Sequence, residues 1–172
     1  NIGYIQIVSF SEDTANEFNE AYNDLKNQGM KALVLDLRNN PGGLLTTCVE
    51  IAKKLVPKGE IVSIVDKQGN KETYSSSLEA PEYPLVVLIN KNSASASEIL
   101  SGAIQDTKAG TIIGNTSYGK GSVQTILPMF EDDIFLAVNK DSKYVGCDEI
   151  DLSLLKDETF LTLAKGFATR SD

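Results

Sequence analysis

Three short apolar runs frame what this chain can become: residues 31–37 (K-A-L-V-L-D-L), 85–89 (L-V-V-L-I) and 111–113 (T-I-I). Each is too short for a core helix and rich in Leu, Val or Ile. Each has the size expected of a strand buried on both faces, as in a parallel sheet. Between them the spacing of apolar residues changes to that of helices. Ala15, Phe18, Ala21, Tyr22 and Leu25 share one helical face, and Gly29 stops it. Residues 44–55 repeat the pattern up to Pro57-Lys58-Gly59, and Ile99, Leu100, Ala103 and Ile104 mark a third helix. Ile2, Tyr4, Ile5 and Ile7 read as a first strand. Strands alternating with helices predict an α/β domain with a largely parallel sheet.

Smaller expectations fill the rest. Ser11 or Thr14 caps the first helix, with Glu12, Asp13 and Glu17 at its positive end. Residues 61–65 and 72–74 flank a hairpin turn, Lys67-Gln68-Gly69-Asn70, and residues 75–83 form a surface loop. Residues 123–127 and 134–138 read as an antiparallel pair, and Phe160, Leu161, Leu163, Ala164 and Phe167 as a closing helix.

Composition narrows the chemistry. The 172 residues suit one domain of ordinary globular make-up, with 41% hydrophobic and 23% charged residues. A formal charge of −8 argues against a phosphate-backbone binder, which needs a basic face. No apolar run reaches the roughly 20 residues of a membrane helix. Histidine is absent, so no Ser-His, Cys-His or His-ligated-metal mechanism can be carried within these residues. Cys48 and Cys147 stand 99 positions apart with no Cys-x-x-Cys spacing. Two core thiols fit better than a disulfide, and a four-ligand zinc site is excluded by count. The abrupt start in a strand, without Met, points to a piece of a longer protein.

In parallel sheets, ligands gather where strand C-termini meet helix N-termini. Three loops fit: residues 38–43 (R-N-N-P-G-G), 92–97 (N-S-A-S-A-S) and 114–121 (G-N-T-S-Y-G-K-G). In the second, Ser95 and Glu98 match a capping box, so helix capping alone explains the serines. The alternative is a serine nucleophile at a helix N-terminus, where free N–H groups favour an oxyanion. A serine needs a base. Lacking histidine, the chain offers Lys120, which glycines on both sides would let turn inward. Desolvation would then disfavour the charged amine. A plain surface lysine is the competing account.

Residues 92–99 (N-S-A-S-A-S-E-I), 118–124 (Y-G-K-G-S-V-Q) and 35–43 (L-D-L-R-N-N-P-G-G) together resemble the three signatures of the C-terminal processing, or tail-specific, serine peptidases. Order and spacing agree, with Lys120 lying 25 positions after Ser95. The resemblance implies a Clp-protease/crotonase-like core, a mainly parallel sheet with flanking helices, belonging to a longer PDZ-containing protein. It implies Ser95 as nucleophile, Lys120 as general base and Gln124 orienting the Lys120 amine. The backbone N–H groups of Gly43 and Ala96 would form the oxyanion hole. Ser93 and Ser97 become cap or packing residues. Asp36 and Arg38 either brace the oxyanion loop or form an ordinary ion pair at a strand end.

No metal or organic cofactor is implied. The expected partners are proteins or peptides with unstructured, hydrophobic C-termini, handled outside the cytoplasmic membrane, in a cell envelope, periplasm or secreted space. Nucleic acid is not a partner, a homo-oligomer is compatible, and a membrane would be met only through further segments. One region departs from the family. Residues 139–150 (N-K-D-S-K-Y-V-G-C-D-E-I) lack its usual Pro-Ser-Gly turn and its Gly-Ile-x-Pro-Asp segment. That favours the main alternative, a non-catalytic binding module on the same fold, as in retinoid-binding repeats. An acyl-CoA enzyme of crotonase type would leave the Ser, Lys and Gln coincidence unexplained.

Overall fold

A computed structural model describes residues 1–124, which fall within one compact unit, Asn1–Thr125. The predicted pair at 123–127 and 134–138, the helix near Phe160, Cys147 and residues 139–150 lie wholly or largely outside the described residues. The element order is β1 (Ile2–Gln6), α1 (Thr14–Asn27), β2 (Ala32–Asp36), α2 (Leu45–Leu55), β3 (Gly59–Val65), β4 (Lys71–Ser76), β5 (Leu85–Ile89), α3 (Ala96–Asp106) and β6 (Thr111–Gly114). Four strands form a sheet in the order β1-β2-β5-β6. All three of its pairings are parallel, with Leu35 opposite Ile5 on one side and Val87 on the other. Strands β3 and β4 make a separate antiparallel hairpin. Its turn is tied by the Asp66 carboxylate, which accepts the N–H groups of Gln68 and Asn70.

The sheet order advances in one direction. Right-handed crossovers then place successive helices on one face, and α2 packs against both α1 and α3. The core lies between this helical layer and the sheet. Leu33, Leu35 and Val87 meet Phe18, Ile51, Leu100 and Ile104 there, all at most 2% exposed. This layout corrects the expectation that the three apolar runs are buried strands covered on both faces, most plainly in the edge strand β6, where Ile113 is 52% exposed. In β2 and β5, Leu33, Leu35, Leu85 and Val87 are buried, while Val34, Val86 and Leu88 are half-exposed among the described residues. One-sided helix cover leaves a strand with a period-two burial pattern.

Two other expectations are corrected. Neither Ser11 nor Thr14 caps α1; Asp13 holds the N-cap position without a side-chain cap bond. The Ser11 N–H and hydroxyl instead meet Thr14 Oγ1, which donates to the Ser9 carbonyl, so both side chains secure the turn into the helix. Residues 75 and 76 are not loop but the end of β4. Ser76 is buried and its hydroxyl donates to the Val56 carbonyl at 2.7 Å, fastening the hairpin to the end of α2. Gly29 does end α1. At φ +77° it lets Gly29 and Met30 N–H groups return to the Lys26 and Leu25 carbonyls.

Candidate active site

The two central strands, β2 and β5, end side by side, so the loops that follow them meet. The loop after β5 leads into α3 through Ser93-Ala94-Ser95. Its three serines have different fates. Ser93 is fully buried; its hydroxyl donates to the Leu37 carbonyl at 2.8 Å and accepts the Asn90 N–H at 2.9 Å. Ser97 is also fully buried and donates to the Asn40 carbonyl at 3.1 Å. Both are packing residues. Ser95 alone is partly exposed, at the first position before the helix, with φ +55° and ψ −115°. A non-glycine residue there carries strain of about 1–3 kcal/mol that its surroundings must hold in place. Strain of this kind clusters at reactive positions.

The loop after β2 supplies the other wall. Phe10 pairs with this loop in parallel fashion: its N–H goes to the Gly42 carbonyl at 2.9 Å, and its carbonyl takes the Leu44 N–H at 2.7 Å. Pairing through residues 42 and 44 turns the intervening Gly43 N–H to the opposite side. Among the described residues that N–H has no hydrogen-bond acceptor, and neither has the N–H of Ala96. Glycine is required at both positions. A Cβ on Gly43 would stand 2.2 Å from the Phe10 carbonyl oxygen, and one on Gly42 would stand 2.7 Å from Ser95 Cβ. The two loops are therefore in direct contact beside Ser95.

The third loop, after β6, brings Lys120. Its glycine neighbours differ: Gly119 has φ +86°, whereas Gly121 needs no left-handed conformation. Lys120 is half-exposed, which lies nearer the surface-lysine account than a side chain turned inward. Its Nζ donates to Gln124 Oε1 at 3.3 Å, one partner the sequence reading assigned to it.

What holds this loop against α3 is Glu98. Its Oε2 accepts the N–H of Ser95 at 2.8 Å and the N–H of Lys120 at 2.9 Å. Its Oε1 accepts the Ser117 hydroxyl at 2.8 Å and the Gly119 N–H at 2.6 Å. Burial alone would raise the Glu98 pKa. The hydrogen bonds from Gly119, Ser117, Ser95 and Lys120 outweigh burial and lower it. The Tyr118 N–H adds a bond to the Ser93 carbonyl at 3.0 Å. Sequence reading gave Glu98 only its capping role. The capping half is formed, but the same carboxylate also anchors the lysine loop, whose residues lie 19 to 22 positions later. A carboxylate one helical turn past the serine is the sole local signal for this, and capping already accounts for it.

Asp36 and Arg38 form a strand-end ion pair, with Arg38 Nε and Nη2 on the two carboxylate oxygens at 2.9 and 2.7 Å. Tyr4 adds a hydroxyl donor at 2.6 Å. The Arg38 guanidinium holds the buried Asp36 carboxyl down at about 2. No bond runs from this pair to Gly42 or Gly43 among the described residues. Under Ala96, the Cys48 thiol donates to the Ala96 carbonyl at 3.2 Å, and burial pushes this thiol up to about 12. It is part of the core floor and not a nucleophile.

Against known proteins, the sequence pattern of peptidase family S41 matches residues 1–146. The chain belongs to that family. It is 42% identical over 131 residues to the chloroplastic C-terminal processing peptidase of Tetradesmus obliquus, covering 74% of this chain and 28% of that protein. It is 43% identical over 131 residues to the carboxy-terminal processing protease CtpB of Bacillus subtilis, covering 75% of this chain and 27% of the relative. The solved photosystem II D1 C-terminal processing protease superposes with a TM-score of 0.67 at 43% identity, over 72% of this chain and 33% of that one. The S41 fold, α/β with a mainly parallel sheet, is thus the fold of this chain. The chain spans less than a third of the length of these curated relatives.

Proposed function

We propose that this S41 chain carries the catalytic core of a C-terminal processing serine endopeptidase, working through a Ser95–Lys120 dyad and an acyl-enzyme. The observation that carries the reading is the convergence at Ser95. The one accessible serine of its loop sits in a strained turn, the N–H groups of Gly43 and Ala96 have no acceptor among the described residues, and the lysine loop is anchored to the same helix turn. In the proposed cycle, neutral Lys120 takes the Ser95 proton as Oγ forms a bond to the scissile carbonyl carbon. The electron pair displaced onto oxygen is met by the Gly43 and Ala96 N–H groups. Collapse breaks the C–N bond, and the Lys120 ammonium protonates the departing amine. Water, deprotonated by Lys120, then cleaves the Ser95 ester and restores the hydroxyl. Gln124 holds the amine through the bond already present.

The substrates of this reading are unstructured protein tails with apolar C-termini, met outside the cytoplasm; the relatives are named for C-terminal processing. In this reading the chain as a whole is one peptidase core set in a longer, PDZ-containing protein, and it needs no metal or organic cofactor. The dyad is tested by Ser95→Ala and Lys120→Ala. Each should abolish cleavage of an unstructured, apolar-ended peptide while the circular dichroism spectrum persists. Turnover equal to wild type in both would remove the assignment. Covalent labelling of Ser95 by a fluorophosphonate separates an enzyme from a binding module on the same fold.

A further inference from the structure

Asn40 plays no part in the dyad, yet its side chain has no exposure at all. Its Nδ2 donates to the Ile7 carbonyl at 2.8 Å, just beyond β1, and its Oδ1 accepts the Gly42 N–H at 2.8 Å. Its main-chain carbonyl accepts the Ala94 N–H at 3.0 Å and the Ser97 hydroxyl at 3.1 Å. One residue therefore grips the glycine loop with its side chain and both sides of Ser95 with its backbone. A pocket for a developing oxyanion needs its donors about 2.7–3.1 Å from the oxygen, and here the two donors come from different loops. The separation of those loops is the quantity that must be controlled, and Asn40 bonds to both.

We infer that Asn40 is a positioning residue that sets the Gly43 N–H against the Ala96 N–H, and so determines how well the site binds a tetrahedral oxyanion. The inference rests on the Ser95 reading above. A merely structural asparagine would alter the fraction of folded chain and nothing else. A positioning one alters affinity for the tetrahedral state in chains that remain folded.

The probe is a peptide aldehyde with an apolar terminal residue. Ser95 Oγ adds to its carbonyl carbon, the C=O electron pair moves onto oxygen, and the hydroxyl proton passes to Lys120. In Asn40→Ser, aldehyde affinity and kcat should fall together, each roughly 10²-fold, with KM within about threefold. Asn40→Asp keeps the size and the acceptor for Gly42 while losing the donor to Ile7, and should lose less of both. Folded variants that bind the aldehyde like wild type overturn the inference. So does a loss of kcat matched by loss of titratable Ser95, with the surviving sites unchanged. Should both variants fail to fold, amide hydrogen exchange of the wild-type chain decides. Gly42 and Ala94 should exchange as slowly as the core strands and slow further with aldehyde bound. Exchange at exposed-loop rates overturns the inference. Ser95→Ala is the separate control: aldehyde binding by it contradicts the nucleophile assignment, whereas its failure beside intact Asn40 variants contradicts this inference alone.

Discussion

At the scale of single residues, the site is organised by one carboxylate. Glu98 satisfies three N–H donors and a hydroxyl that would otherwise compete for water or for substrate. Hydrogen bonds to a charged acceptor contribute about 1.5–3 kcal/mol each. Glu98→Gln keeps the shape but trades one acceptor oxygen for an NH₂ that faces donors. The expected result is faster exchange of the Gly119 and Lys120 amides and turnover lower by about tenfold, the equivalent of one such bond. Unchanged exchange at both amides would show that the lysine loop is held by other means. The proposed roles of Ser95, Lys120 and Gln124 were legible in the sequence because each residue occupies a recognisable family motif. Glu98 was legible only as a cap, because three of its four donors belong to a loop far along the chain.

At the scale of elements, the decisive contact is between the loops after β2 and β5. Gly43 pairs with Phe10 at a separation that no side chain can share, and it has φ +144°. Gly43→Ala should destabilise the chain by at least about 1–3 kcal/mol and abolish turnover, since relief of the clash moves the N–H that faces away from Phe10. Gly121→Ala is the matched control. Among the described residues nothing lies within 4 Å of a Cβ placed there, and its stability should stay within about 0.5 kcal/mol of wild type. Thermal unfolding of the two variants makes the comparison directly. A left-handed requirement is visible in sequence only as a run of glycines. Which glycine faces backbone, and which faces open space, depends on the partner strand.

At the scale of the whole molecule, the Asp36–Arg38–Tyr4 cluster joins β1 to β2 at the end where the site lies. Arg38 holds the Asp36 carboxyl at about 2, below its ordinary 3.8. A carboxylate with a depressed pKa stabilises the folded chain above its unfolded pKa and loses that contribution as the pH falls through the folded value. The melting temperature of wild type should therefore exceed that of Asp36→Asn at neutral pH. The difference should shrink between about pH 4 and pH 2. A difference independent of pH over that window would show that Asp36 acts by packing alone.

The alternation of strands and helices and the three loops at strand ends could be read from the residues alone, as could the motifs on which the proposed Ser95–Lys120 site rests. Those features are local. Periodicity, turn residues and short motifs report what a few neighbouring positions do. Tertiary structure decided the rest. Among the described residues, helices cover one face of β2 and β5 and leave the other half-buried, where the apolar runs alone suggested two covered sides. It committed Ser93 and Ser97 to buried carbonyls and left Ser95 accessible, although the three serines look alike in the chain. It also gave Glu98 and Asn40 partners from separate loops. Such choices depend on which segments meet, and that is settled by the packing of the sheet, not by the composition of any one loop.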